Sequence, residues 1–250
     1  MKFTSKSIEF AGKTLTFESG KWAQQATVAI KAQLGDTVVL ATVVEGKDRE
    51  DLGYFPLSVE YVERLYAGGK IKGSRWVKRE GRPSDDAVLS GRLIDRSIRP
   101  FFPKEYKKEV QVVVTVLSVD GENEPDILGL NAVSAALAAS PIPWKGPVGA
   151  VRMGYVKANE TGEAEYLVNP GGAELALSDL DLVVSQTDEK TVMIEAGGLQ
   201  VPEAIMLEAV KRGHTETAKL LAFIREFAKE AQVGEKPTVT KDPAFVELTH

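Results

Sequence analysis

The segment richest in chemical possibility is Gly73-Ser74-Arg75-Trp76-Val77-Lys78-Arg79-Glu80-Gly81-Arg82-Pro83. It puts an indole, an apolar neighbour and several cations on one glycine-flanked loop. Single-stranded nucleic acid is held by that combination, with flat faces for bases and cations for phosphates. The alternative is a tryptophan packed into the core with solvated cations around it. Next come Arg92, Arg96 and Arg99, spaced four and three apart and therefore on one face of a helix. Guanidiniums in a row suit phosphate oxygens, because each can bind bidentately. Asp95 is placed to pair with Arg99 at i, i+4, but one carboxylate cannot satisfy three arginines. Acids fall in two groups: Glu122, Glu124 and Asp126, then Asp179 and Asp181. Near phosphate binders such acids could serve metal-dependent phosphoryl transfer. At turns and helix starts they are also ordinary caps.

Composition narrows the field. The chain has 250 residues, is 43% hydrophobic and carries a net charge of −5. That is enough apolar material for one large or two small domains. There is no cysteine, so thiolate nucleophiles, disulfides and Cys-ligated metals are excluded. His214 and His250 are the only histidines, which excludes a His-rich metal site. No P-loop, dinucleotide fingerprint or G-x-S-x-G motif is present. No apolar run reaches the ~18 residues of a membrane span, and the first residues lack a signal-peptide apolar region. The expectation is a cytoplasmic chain with no membrane contact. Charge is distributed unevenly: residues 64 to 108 hold thirteen Lys/Arg against five acids, while the remainder is strongly acidic. A basic block in an acidic body points to a polyanion-facing surface, the alternative on charge alone being a solvated face with local ion pairs.

The elements that must position these groups follow from patterning. Ser7 to Ala11 and Thr14 to Glu18 alternate like strands around a break at Gly12-Lys13. Ala26 to Leu34 and Thr37 to Val44 are β-rich and joined by Gly35-Asp36. With Leu57 to Val62 they predict four or five antiparallel strands. Residues 67 to 83 read as a long functional loop. Ser84 then caps a helix that runs to about Arg99, stopped by Pro100. Val110 to Val119 is an apolar strand and Asp126 to Ala139 a buried helix. Four more strands are expected at Val148 to Val156, Glu165 to Val168, Leu180 to Ser185 and Thr191 to Glu195. Pro202 opens a helix to about Ala231, with Leu220, Phe223, Ile224 and Phe227 as its apolar stripe. Gly171-Gly172 and Gly197-Gly198 read as turn glycines. Strands that cluster first and then mix with helices make an α+β fold, with mixed β-sheets covered by helices.

Three stretches carry a family resemblance: Gly69-Lys70-Ile71-Lys72-Gly73-Ser74, Lys78-Arg79-Glu80-Gly81-Arg82-Pro83-Ser84 and Arg92-Leu93-Ile94-Asp95-Arg96-Ser97-Ile98-Arg99-Pro100. They resemble the bacterial polyribonucleotide nucleotidyltransferases, or polynucleotide phosphorylases. The likeness runs from the N-terminus to about Gly234, through Tyr54-Phe55-Pro56-Leu57, Asn123-Glu124-Pro125-Asp126-Ile127 and Leu180-Asp181-Leu182-Val183-Val184. Members of that family are larger. They carry two ribonuclease-PH-type cores, a helical domain between them, and C-terminal RNA-binding domains. The resemblance implies that residues 1–233 are the first core, a ribonuclease-PH-like fold of the ribosomal protein S5 domain 2-like kind. Residues 234–250 would be a linker or the start of the helical domain.

The resemblance also implies the chemistry. It points to a ring-shaped homotrimer that degrades single-stranded RNA from the 3′ end, consumes inorganic phosphate, releases nucleoside diphosphates and is assisted by Mg²⁺. Partners in an RNA-degradation complex would follow. Trp76, Lys78, Arg79, Arg82, Arg92, Arg96 and Arg99 become the RNA-binding residues. Val77 and Lys78 depart from the family's usual pair of aromatics followed by arginines, and an extra residue follows Ser74. No metal ligand is assigned within this chain, because the family's catalytic phosphate site lies mainly in the second core. Glu124 to Gly129 stands where ribonuclease PH keeps a Gly-Thr-Arg-Thr phosphate loop. Asp181 falls at the acid or metal position of an active core and is the one candidate catalytic residue. The Lys or Asn expected just after it is replaced by Leu182 and Val183. The implied reading is a catalytically degenerate core, with a self-sufficient ribonuclease-PH-type phosphorolytic enzyme and a non-catalytic RNA-binding ring module as the alternatives.

Overall fold

A computed structural model describes residues 2–49, 52–71, 73, 81–158 and 164–235. The chain starts with a hairpin of β1 (Thr4–Phe10) and β2 (Lys13–Ser19). The turn is Ala11-Gly12, both with positive φ, rather than the expected Gly12-Lys13. A two-residue hairpin turn of this kind needs left-handed backbone at both positions, and Lys13 already pairs with Phe10 in the ladder. β3 (Val28–Leu34) and β4 (Thr37–Asp48) follow, joined at Gly35-Asp36 as expected. Gly35 has φ +59°, and a Cβ there would lie 2.7 Å from the Asn123 side chain, so glycine is required twice over.

β5 (Leu57–Val62) forms where expected, but it is not antiparallel. It pairs parallel with β6 (Lys108–Ser118), at the edge of a six-stranded sheet ordered β1-β2-β3-β4-β6-β5. A parallel pair needs a crossover, and α1 (Asp85–Ile98) supplies it. Ser84 caps α1, its hydroxyl accepting from the Ala87 N–H at 3.0 Å and donating to Glu63 at 2.8 Å. The helix tightens into a 3₁₀ turn, Arg99–Phe101, at Pro100.

α2 (Pro125–Ala139) is buried along almost its whole length. It lies against β3 and β4 of the first sheet and β7 (Gly149–Val156) of the second. Its two buried polar side chains are matched to the backbone of β7 and of the residue just before it. The Asn131 amide donates to the Ala150 carbonyl and accepts from the Ala150 N–H, and Ser134 accepts from the Val148 N–H. Gly129 lets the helix approach β6, since a Cβ would sit 2.9 Å from Val114 Cγ1. β8 (Glu165–Val168), the short α3 (Gly172–Leu175), β9 (Leu180–Gln186) and β10 (Thr191–Gly198) complete an antiparallel sheet ordered β10-β9-β7-β8. Gly171 caps α3, while Gly197 and Gly198 are ladder residues of β10 opposite Asp181 and Leu180, not a turn. α4 (Glu203–Ala231) closes the fold. Its stripe Leu220, Phe223, Ile224 and Phe227 is buried, and Phe17 packs its ring 5.2 Å from Phe223 and 5.6 Å from Phe227. Among the described residues, no helix is long and apolar enough to cross a membrane.

Candidate functional site

Two charged regions flank α1. The first is its arginine face. Arg82, just ahead of the helix, is exposed, and so is Arg92 about two turns in. Neither has an ion pair among the described residues. Arg96 reaches across to β10 and pairs with Glu195 at 2.9 Å, both side chains about half exposed. Arg99 is committed elsewhere. Its Nε and Nη2 grip both Asp95 oxygens at 2.9 and 2.6 Å, and its two terminal nitrogens donate to the carbonyls of Phe55 and Leu57 at 3.4 and 3.2 Å. Of the expected row of three guanidiniums, Arg92 alone is free of an ion pair among the described residues, Arg96 sits in a half-exposed pair, and Arg99 is spent. Asp95 and the entry to β5 take Arg99 as a structural tie, because the i, i+4 spacing and the nearby unpaired carbonyls outcompete solvent. Beside this face lies a cleft of about 450 Å³ lined by Arg64, Lys70 and Arg82 over a floor that includes Tyr61 and Val116. Trp76, Lys78 and Arg79 lie outside the described residues.

The second region is a carboxylate cluster around Arg152, the one charge in the apolar run from Val148 to Val156. In the sheet Arg152 faces Val183, and Asp181 faces Gly154. Arg152 and Asp181 are thus diagonal neighbours on one face of adjacent strands. Glycine stands opposite Asp181 on both sides, Gly154 in β7 and Gly197 in β10, so no side chain screens it from the arginine. Asp126 arrives from the first turn of α2. Arg152 Nη2 donates to Asp126 at 2.8 Å, and Nη1 to Asp181 Oδ2 at 3.4 Å. Arg152 and Asp126 are only 13% and 14% exposed, against 44% for Asp181. Arg152 Nε and Asp181 Oδ1 are buried without a partner. Glu124, next to Asp126, has its carboxyl pushed up by burial and by the charge of Asp126, against an opposing pull from Arg152. Burial, reinforced by Asp126, Glu63 and Glu124, holds the Tyr61 phenol neutral. Asp126, Arg152, Glu124 and Glu195 line an acidic cleft of about 380 Å³. Of the other sequence candidates, Glu122 lies 3.8 Å from Lys13 and Asp179 lies 3.2 Å from Lys157, both surface pairs away from this cleft. His214 is half-buried within α4.

The loop leading into α2 is set by Asp120. Its carboxylate accepts from the Asp36 and Thr37 N–H groups, the Thr37 hydroxyl, the Glu122 and Asn123 N–H groups and the Asn123 amide. Partial burial pushes its carboxyl up, but these donors outweigh burial and hold it well below the usual carboxylate range. Asp120 thereby ties the β3–β4 turn to the start of α2, which carries Glu124 and Asp126. No anion cradle forms at this helix start. Pro125 removes one N–H, and the Ile127 N–H is taken by Asp126 at 2.6 Å. Arg152 and Asp120 were not singled out from sequence. The available signals were a lone charge inside an apolar strand, and an acid just before Gly121 at a strand end.

Comparison with known proteins places this architecture. The description "3′ exoribonuclease family, domain 1" matches residues 11–143, and "3′ exoribonuclease family, domain 2" matches residues 146–216. A polyribonucleotide nucleotidyltransferase of Pelagibacter ubique is 49% identical over 98% of this chain and 35% of its own length. Proteins of the same name from Desulforamulus reducens and Acidobacterium capsulatum are 47% and 48% identical, over 90% and 94% of this chain. They are matched over 30% and 28% of their own lengths, so the chain spans about a third of the curated relatives. The crystal structure of rice (Oryza sativa) Rrp46 shares the fold, with a TM-score of 0.67 at 16% identity over 86% of this chain and 94% of that one. The α+β core with its arginine-faced crossover helix, matched in order by both domain descriptions, belongs to the 3′ exoribonuclease family.

Proposed function

We propose that this chain is the RNA-guiding, catalytically degenerate first core of a phosphate-dependent 3′→5′ exoribonuclease that releases nucleoside diphosphates. The observation that carries the reading is the contrast of charge. Arg82 and Arg92 are open to a polyanion, while Asp126 and Asp181 by the neighbouring cleft are already paired with an arginine of the same core. Residues 1–233 form that core, and 234–250 start the segment leading to the rest of the enzyme.

Trp76 stacks a base, and Lys78, Arg79 and Arg82 hold backbone phosphates. Arg92 and Arg96 extend the path along α1. Arg99 braces that helix against β5 rather than touching RNA. The attack of inorganic phosphate on the 3′-terminal phosphodiester takes place in a second core, and the working assembly is a cytoplasmic homotrimer open to RNA-degradation partners. The family implies Mg²⁺. Asp126 and Asp181 each bind a different nitrogen of Arg152, and among the described residues no group of three or more acids or histidines is placed to hold a metal, so this carboxylate set does not fit one. Asp181 is thereby a partner of Arg152 rather than a catalytic acid.

The test is release of nucleoside diphosphate from poly(A), with phosphate and Mg²⁺, by the chain 1–250. A folded, inactive chain that regains activity when the second core is supplied is the expected result. Turnover by the chain alone would make it a self-sufficient ribonuclease-PH-type enzyme instead. RNA affinity gives a second readout. Neutralisation of five phosphates by Lys78, Arg79, Arg82, Arg92 and Arg96 predicts a log K versus log salt slope of about −3.5. A flat salt profile would remove the basic path from the mechanism.

A further inference from the structure

The cleft of about 450 Å³ beside α1 has a lining of mixed chemistry, built where β5 ends. A 3₁₀ turn, Leu65–Gly68, closes on Gly69 at φ +67°, and the Lys70 N–H bonds back to the Leu65 carbonyl at 2.9 Å. The Val119 N–H donates to the Ala67 carbonyl at 3.0 Å and so fastens this turn to the end of β6. Ala67 and Val116, both buried, give the cleft an apolar floor. Lys70 and Arg82 are exposed at its wall and make no ion pair among the described residues. Glu63 supplies a carboxylate. One of its oxygens accepts from the Ser84 hydroxyl at 2.8 Å, and the other has no hydrogen bond among the described residues. Tyr61 borders the same space. Its side chain is 5% exposed, with Gly91 of α1 and Gly129 of α2 standing against it. A buried phenol ordinarily finds a hydrogen-bond partner, yet among the described residues this hydroxyl has none.

These groups divide the needs of a nucleotide between them. Phosphate oxygens suit the cations of Lys70 and Arg82. An apolar floor suits the face of a base. A carboxylate oxygen accepts from an exocyclic amine, as it does from that of cytosine. The cleft also falls within the range of about 300–1,000 Å³ typical of small-molecule sites. A bare inorganic anion would use the two cations and leave the floor, Glu63 and Tyr61 unused. We infer that this cleft binds one nucleoside phosphate whose base carries an exocyclic amine, with Lys70 and Arg82 on its phosphates, Glu63 on the amine and the Tyr61 hydroxyl as a further hydrogen-bonding group. The choice of a nucleotide rests on the reading of this chain as part of an enzyme that releases nucleoside diphosphates. The nucleotide has two sources, a free diphosphate or the 3′-terminal residue of an RNA, and the test separates them.

The experiment is calorimetric titration of chain 1–250 with ADP, UDP, inorganic pyrophosphate and a short oligo(A). ADP should bind about fivefold or more tighter than UDP or pyrophosphate. Lys70→Ala and Tyr61→Phe, each checked for fold by circular dichroism, should weaken ADP binding by about threefold to tenfold. Glu63→Gln should erase the difference between ADP and UDP. Lys70 is a surface residue, so its variant keeps the test decisive if Tyr61→Phe does not fold. Oligo(A) weakened by the same variants assigns the cleft to the RNA end, and oligo(A) left unchanged assigns it to the free nucleotide; both support the inference. ADP bound no more tightly than UDP or pyrophosphate overturns it. So does an ADP affinity that a folded Lys70→Ala or Tyr61→Phe chain leaves unchanged, or an ADP–UDP difference that survives Glu63→Gln. A flat salt profile for long RNA with ADP binding intact removes the RNA path and leaves this site, so the two readings fail separately.

Discussion

Arg152 lines the acidic cleft and Arg96 of α1 reaches its wall at Glu195, yet the two do opposite things. Arg152 and Asp126 are both more than four-fifths buried, whereas Arg96 and Glu195 are each about half exposed. In the first pair both charges have lost their water, so either one left alone would be an uncompensated charge in a poor solvent. In the second pair water competes on equal terms, and the guanidinium stays available to a stronger anion such as a phosphate. Arg99 lies between the two: partly exposed, but spent on Asp95 and two carbonyls. The same side chain is therefore structural or ligand-facing according to burial and to the number of acceptors within reach.

The comparison can be broken at several points. The largest effect should come from Arg152→Ala, which strands Asp126 and costs about 3–5 kcal/mol of stability by urea denaturation. Replacing Arg152 and Asp126 together with apolar residues of similar volume should recover most of that loss, since no orphan charge remains. An equal loss in the double variant would mean that packing, not charge, is what Arg152 supplies.

Asp120→Ala comes next, at about 2 kcal/mol, because several loop N–H groups lose their acceptor. Its pH dependence has a definite sign. The folded carboxyl is held below its unfolded value, so its stabilisation is complete above about pH 4 and fades on acidification below that. Asp120→Asn should be less stable at neutral pH and should show a shallower acid limb in a melting series; an unchanged limb would remove Asp120 as its source.

Arg99→Ala should cost about 1–2 kcal/mol, read by chemical denaturation, as the β5 entry and Asp95 lose their donors. Arg96→Ala should change stability by less than about 1 kcal/mol, and its effect should instead appear in RNA binding as a salt slope shallower by about 0.7. A large stability loss at Arg96 would place it with Arg152 and remove it from the RNA path.

Most of the elements were legible in the residue pattern. The Ser84 cap, the Pro100 stop, the Gly35-Asp36 turn and the buried stripe of α4 are all local signals, carried by neighbours within a turn or two. The basic edge was legible for the same reason, since thirteen cations crowd one stretch of chain. The parallel pairing of β5 was not, because alternation along a strand says nothing about the direction of its neighbour. Nor was the loss of Arg99 from the open face, although the Asp95 pairing was visible. The two carbonyls that complete it come from residues 44 and 42 positions away.

What the sequence determined by itself was the class of fold, the family and the location of the cationic surface, each written in short-range pattern and composition. What only the tertiary structure decided was which charges are free. Arg152 meets Asp126 and Asp181 across 26 and 29 residues of chain, and Asp120 meets Thr37 across 83. Those meetings depend on strand register and on where α2 enters the core, and burial then turns a carboxylate–guanidinium contact from a negligible surface pair into a structural necessity.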